Sequence, residues 1–78
     1  MGFVRYEIYG KTLKQDWIDG QGTTLPKDTW VFTVLGVDDN GANITLWQFR
    51  EYSRAILLAE AAARDDGVPV VDHVPERS

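Results

Sequence analysis

From Thr45 to Asp66 the chain runs without a glycine or proline, and Gly67-Val68-Pro69 follows. No other stretch limits the possible folds as much. The run is rich in Ala, Leu, Arg and Glu, all good helix formers. Thr45 with Gln48 three residues later has the capping-box pattern, in which each polar side chain satisfies a backbone N–H of the first turn. Gly67 supplies a left-handed stop, and Pro69 prevents resumption. The spacing predicts one helix over residues 45–66.

At ~100° per residue, Phe49, Tyr52, Ile56, Ala59 and Ala63 form one stripe, the predicted core face, with Leu46 and Leu57 beside it. Trp47 and Leu58 fall on the opposite side, about 16 Å apart along the axis. Glu51, Arg54, Ala61 and Ala62 share that side. An aromatic anchor, an arginine and an aliphatic side chain are residue types found at interface hot spots. The predicted contact set is therefore Trp47, Arg54 and Leu58, with Glu51 and Arg50 at its rim. Cover by a loop or by the tail of the same chain is the competing reading.

The remaining segments read as strands and turns. Phe3 to Tyr9 alternates, with Val4, Tyr6 and Ile8 on one side and Arg5 and Glu7 on the other. Gly10-Lys11 is a candidate tight turn. Residues 12–18 would then pair back with Leu13 and Trp17 on one face, a short helix being the alternative. Residues 19–28 read as a loop, long enough to be a candidate binding loop. Trp30 to Val37 is apolar on both faces, as expected of a central strand. Asp38-Asp39-Asn40-Gly41 is a turn. After it comes either a strand from Ala42 to Trp47 or an immediate helix, and the favoured reading is a brief strand at 42–44 followed by the helix. Residues 68–74 suit an edge strand, where Pro69 is tolerable, and residues 75–78 a frayed tail. The expectation is a single α+β domain over residues 1–78. It has a small, mostly antiparallel β-β-β-α-β sheet of four strands, with one long helix across one face.

Composition narrows the function. Twelve acids against eight bases give a net charge of −4. Each half of the chain holds four bases and six acids, so neither is a basic arm, and a phosphate backbone is repelled on average. There is no cysteine, hence no thiol staple, which fits a reducing compartment. The N-terminal residues alternate apolar and charged types, unlike a signal peptide or a membrane span. A cytoplasmic protein is expected.

No constellation points to catalysis, a cofactor or a metal. His73 is the single histidine, and its neighbour Asp72 would point to the other face of a strand. Ser53 and Ser78 have no evident base. Asp38–Gly41 has a calcium-loop composition, but Gly36 and Trp47 would occupy ligand positions. Gly20-Gln21-Gly22 is a lone G-x-G. Asp65-Asp66 sits where the helix dipole disfavours negative charge.

Residues 29–70 resemble the partial RNase-H-like domain of HicB-type antitoxins. The likeness rests on a strand like Trp30–Val34, a helix opening with Thr-Leu, and an Asp66-Gly67-Val68-Pro69 exit. The family's Leu-Pro-Gly-Cys loop is replaced here by residues 36–43, and its Glu-rich first turn by Trp-Gln-Phe-Arg. The resemblance implies an acidic protein that binds a small basic toxin through the helix and exit strand.

The sequence thus predicts a non-enzymatic protein-interaction module, such as an inhibitor, an antitoxin-like protein or a phage or plasmid accessory protein. Its partner would be another protein, a basic one included, or a second copy in a homodimer. The alternative is a nucleic-acid-binding regulator that uses a sheet face with Trp17 and Tyr9 for stacking and Arg5, Lys11 and Lys14 for phosphate. The acidic balance disfavours it.

Overall fold

Trp30 to Val37 forms strand β4, with the bounds its two-sided apolar pattern predicts. A computed structural model describes residues 2–18, 22 and 24–74. The other elements are β1 (Arg5–Thr12), β2 (Trp17–Ile18), β3 (Thr24–Leu25), β5 (Asn43–Phe49), helix α1 (Tyr52–Asp66) and β6 (Val70–Asp72). Four strands make the main sheet in the order β5-β4-β1-β6, and β2 pairs with β3 in a small separate hairpin. The main sheet is antiparallel except for β1 and β6. The architecture is α+β with one helix on one face, as expected. The expected frayed tail lies outside the described residues, as do positions 19–21 and 23 of the expected loop.

Three sequence expectations are corrected. The helix begins at Tyr52, not Thr45. Residues 43–49 are a strand paired to β4, and Gln48 turns its side chain to Thr33, which donates to it at 2.8 Å. There is accordingly no capping box, and Glu51 precedes the helix with no side-chain cap. The cause is a β-bulge: Val34 pairs with Trp47 and Leu35 with Thr45, so Leu46 is the extra residue. A bulge breaks strict alternation. Leu46 and Trp47 then both reach the helix side while Thr45 and Gln48 face the other way. An Ile-Thr-Leu-Trp-Gln-Phe run that looks helical by period is thus a strand with one insertion.

Second, Gly10-Lys11 does not turn. β1 continues through Thr12, which pairs with Trp30. Gly10 is needed for space, since a Cβ there would stand 2.6 Å from the Trp30 ring. Third, residues 12–18 do not pair back onto β1, because β2 pairs forward with β3. Leu13 and Trp17 still share one cluster, with Leu25 and Val31.

The main core joins Tyr6, Ile8 and Val34 to Ala55, Ala59 and Ala63 of the helix. Alanine at every fourth position lets α1 lie close on the sheet. Tyr52, Ile56, Phe32, Phe49 and Trp47 pack around this centre. Leu57, expected beside the stripe, is 67% exposed, and Val4 also lies outside the core. The helix ends as predicted: Gly67 takes φ 68°, and Val68 N–H donates to Ala63 at 2.9 Å. That six-residue return is the Schellman pattern. Tyrosine hydroxyls fasten both ends of the helix. Tyr6 donates to Asp66 at 2.5 Å, and Tyr52 donates to Asp72 of β6. The first bond offsets the unfavourable placement of Asp66 at a helix C-terminus.

Two substitutions test this packing by urea unfolding. Ala59→Leu should overpack the helix–sheet seam and cost about 1–3 kcal/mol. Trp47→Ala should cost about 2–3 kcal/mol, below the range for a fully buried tryptophan. An unchanged midpoint for Trp47→Ala would mean that its ring stands off the core.

Candidate functional site

Period-two alternation puts Arg5, Glu7, Tyr9 and Lys11 of β1 on the face away from the helix. Thr33 and Leu35 of β4, and Thr45 and Gln48 of β5, share that face by register. No helix covers it among the described residues. It carries one polar assembly and one groove.

At the β6 end Glu7 is only 7% exposed, yet charged. A buried carboxylate is costly unless its oxygens are satisfied. Three donors do this. Arg5 Nε donates to Oε2 at 2.5 Å, and Tyr9 Oη donates to Oε1 at 2.6 Å. His73 Nε2 lies 3.1 Å from the same Oε1. An ionised carboxylate only accepts, so Nε2 carries the proton. The His73 ring stacks on Tyr9 with centroids 4.3 Å apart, and its backbone N–H donates to Ile8 at 2.9 Å. The bonds from Tyr9 and then Arg5 hold the Glu7 carboxyl below its ordinary 4.5, although burial opposes them. The same Glu7 bond raises the Tyr9 phenol. On the helix side, burial, followed by the Asp66 bond, pushes Tyr6 up to about 12.

At the other end the β2–β3 hairpin folds over Val31. Between the segment leading into it and β5 lies a half-open groove of about 680 Å³. Lys11, Leu13, Lys14 and Trp17 line one side, and Thr45 and Gln48 the other. Asp16 also borders it, with one carboxylate oxygen taken by the Lys27 N–H at 2.8 Å.

The structure divides the first predicted contact set. Trp47 lies on β5 and packs on the core, Glu51 and Arg50 lie between strand and helix, and Arg54 and Leu58 are on α1. Arg54 is exposed and Leu58 half-buried. The single helical face joining Trp47 to Leu58 does not exist, because a strand and a helix share the segment. The second set is divided as well: Lys11, Lys14 and Trp17 line the groove, whereas Arg5 and Tyr9 are bound to Glu7 farther along β1. Its two aromatic rings are committed, Tyr9 to His73 and Trp17 to the hairpin core.

Sequence reasoning missed Glu7 as a buried acid and His73 as its partner. The alternation that puts Arg5 and Glu7 on one face was a usable signal, but the meeting with His73 spans 66 positions. Among the described residues no three His, Cys, Asp or Glu side chains converge as metal ligands, and no helix is long and apolar enough to cross a membrane. No family model, curated protein or solved structure matches this chain. The geometry of the site alone carries the functional reading.

The depressed Glu7 carboxyl adds stability above its unfolded-state pKa, and this is lost as pH falls through the lower folded value. Glu7→Gln should therefore lower stability at neutral pH and flatten the acid limb of a stability-versus-pH curve measured by urea midpoints. An acid limb that keeps its slope in the variant would place that titration on another group.

Proposed function

We propose that this protein is a non-enzymatic binding module that takes an extended acidic segment of a partner protein into the groove between the hairpin and β5. The observation behind this reading is the convergence of Lys11 and Lys14 beside Trp17, opposite Thr45 and Gln48. The lysines offer charge, the indole edge offers apolar contact, and the threonine and glutamine offer hydrogen-bonding groups to a peptide backbone. That combination suits a polar, extended ligand.

A nucleic-acid strand fits less well. Base stacking needs open aromatic faces, and Trp17 and Tyr9 are packed against their own neighbours. A long polyanion also meets the net charge of −4, whereas a short acidic segment meets Lys11 and Lys14 against one acid, Asp16, of which one oxygen is taken by the Lys27 N–H. The basic toxin that the HicB likeness implies would turn instead to the acidic end of α1, where Asp65 is exposed and Asp66 is held by Tyr6.

The reading is tested by amide-shift titration of the full chain with an aspartate-rich decapeptide and with an oligothymidylate, each at low and high salt. The peptide should shift Lys11, Lys14, Trp17, Thr45 and Gln48, and a folded Lys11→Glu/Lys14→Glu variant should lose the response. Shifts from the oligonucleotide alone, with a steep loss on adding salt, would favour the nucleic-acid reading. Silence with both probes would remove the groove from consideration.

A further inference from the structure

The two edges of the sheet are built differently. β6 is three residues long, follows Pro69 and ends in Asp72. Shortness, proline and charge are the usual protections against unwanted strand pairing. β5 is seven residues long, Asn-Ile-Thr-Leu-Trp-Gln-Phe, and contains neither a charged residue nor a proline. Among the described residues it pairs with β4 on one side and with no strand on the other. The bulge at Leu46 is the protection those residues offer it. It also leaves apolar surface at the rim of the sheet: Ile44 is 52% exposed, and Leu46, Trp47 and Phe49 are only partly buried.

From this asymmetry we infer that β5 is a dimer seam, on which a second copy of this chain adds its own β5 antiparallel about a two-fold axis near Leu46. The occupant is chosen by self-complementarity. A two-fold seam uses the same patch on both partners. The bulge leaves Ile44, Leu46, Trp47 and Phe49 on the helix side and Thr45 and Gln48 on the other, so face-matched pairing sets Ile44 against Phe49 of the second copy and Thr45 against its Gln48, and no like charges meet along the strand. The ends complement each other as well. The acidic turn carrying Asp38 and Asp39, just before β5, lies toward the Arg50 and Arg54 region just after β5 of the other copy, and the symmetry repeats the contact. Both arginines and Asp39 are exposed in the monomer. Asp38 spends one carboxylate oxygen on its own turn, accepting from Asn40 and Ala42 at 2.9 Å each. The four-stranded sheets would join into one of eight strands, with the part-exposed apolar residues of β5 brought against their copies. The inference is independent of the groove reading, which can fail without affecting it.

Sedimentation equilibrium of the full chain tests it, with folding of each variant checked by circular dichroism. Wild type should sediment as a dimer that dissociates on dilution. Ile44→Lys places an edge lysine at an exposed position and should shift the protein to monomer at least tenfold more readily. Val71→Lys, on the opposite edge, should leave the dimer intact. Arg50→Glu should weaken association, and adding Asp39→Lys to it should restore it. Wild type that stays monomeric at every concentration overturns the seam. So does dissociation caused by Val71→Lys but not by Ile44→Lys, or failure of the charge swap to restore the dimer.

Discussion

The eight-residue antiparallel ladder between β1 and β4 is the constraint on which the rest of the molecule depends. It places Ile8 against Val34 at the centre of the sheet, both fully buried. The helix can cover this pair closely because it presents Ala55, Ala59 and Ala63 there. Backbone pairing fixes the positions, and burial of apolar surface supplies the main drive. Once β1 is registered on β4, its alternate residues are committed: Tyr6 and Ile8 to the core, Arg5, Glu7, Tyr9 and Lys11 to the other face. The polar assembly around Glu7 and one wall of the groove are consequences of that single register.

That second face is an economical use of a small chain. A domain of this size buries limited apolar surface, and one helix suffices for only one side of the sheet. The other side is closed in part by the hairpin, where Leu13 and Leu25 pack with Val31, and in part by polar residues that satisfy each other. Glu7, Thr33 and Gln48 are buried there, and among the described residues no buried side-chain nitrogen or oxygen lacks a partner. Such a surface resists water without being greasy. It leaves the lysines, rather than an apolar patch, as the feature a ligand meets.

Local chemistry was legible in the sequence and non-local geometry was not. β4 announces itself because both its faces are apolar. The Gly67 stop and the Asp38–Gly41 turn are legible because each depends on a backbone angle that few residues favour: Gly41 takes φ 85° and Gly67 68°. β5 is hidden because its extra residue, Leu46, sets two apolar side chains on one side in succession. The result imitates a helical period and merges with the true helix that follows. Gly10 reads as a turn because its actual partner, the Trp30 ring, comes from a strand far along the chain. The groove is likewise assembled from β5 and a hairpin distant in sequence. Of the proposed nucleic-acid residues, Lys11, Lys14 and Trp17 meet at the groove, while Arg5 and Tyr9 join Glu7 and His73, a stacking partner that spacing does not reveal.

β1 has very unequal neighbours. On one side eight residue pairs tie it to β4, whereas on the other only three tie it to β6. The short strand is kept in place largely by its flanks: the Pro69 carbonyl accepts from Tyr6, Asp72 accepts from Tyr52, and His73 reaches Glu7. Regions with few contacts open at lower free energy than the global transition. The border of the sheet at β6 should therefore detach and reattach while β1, β4 and the helix remain folded, and in that open state β1 itself becomes a rim, with its amides on that side exchanging with solvent.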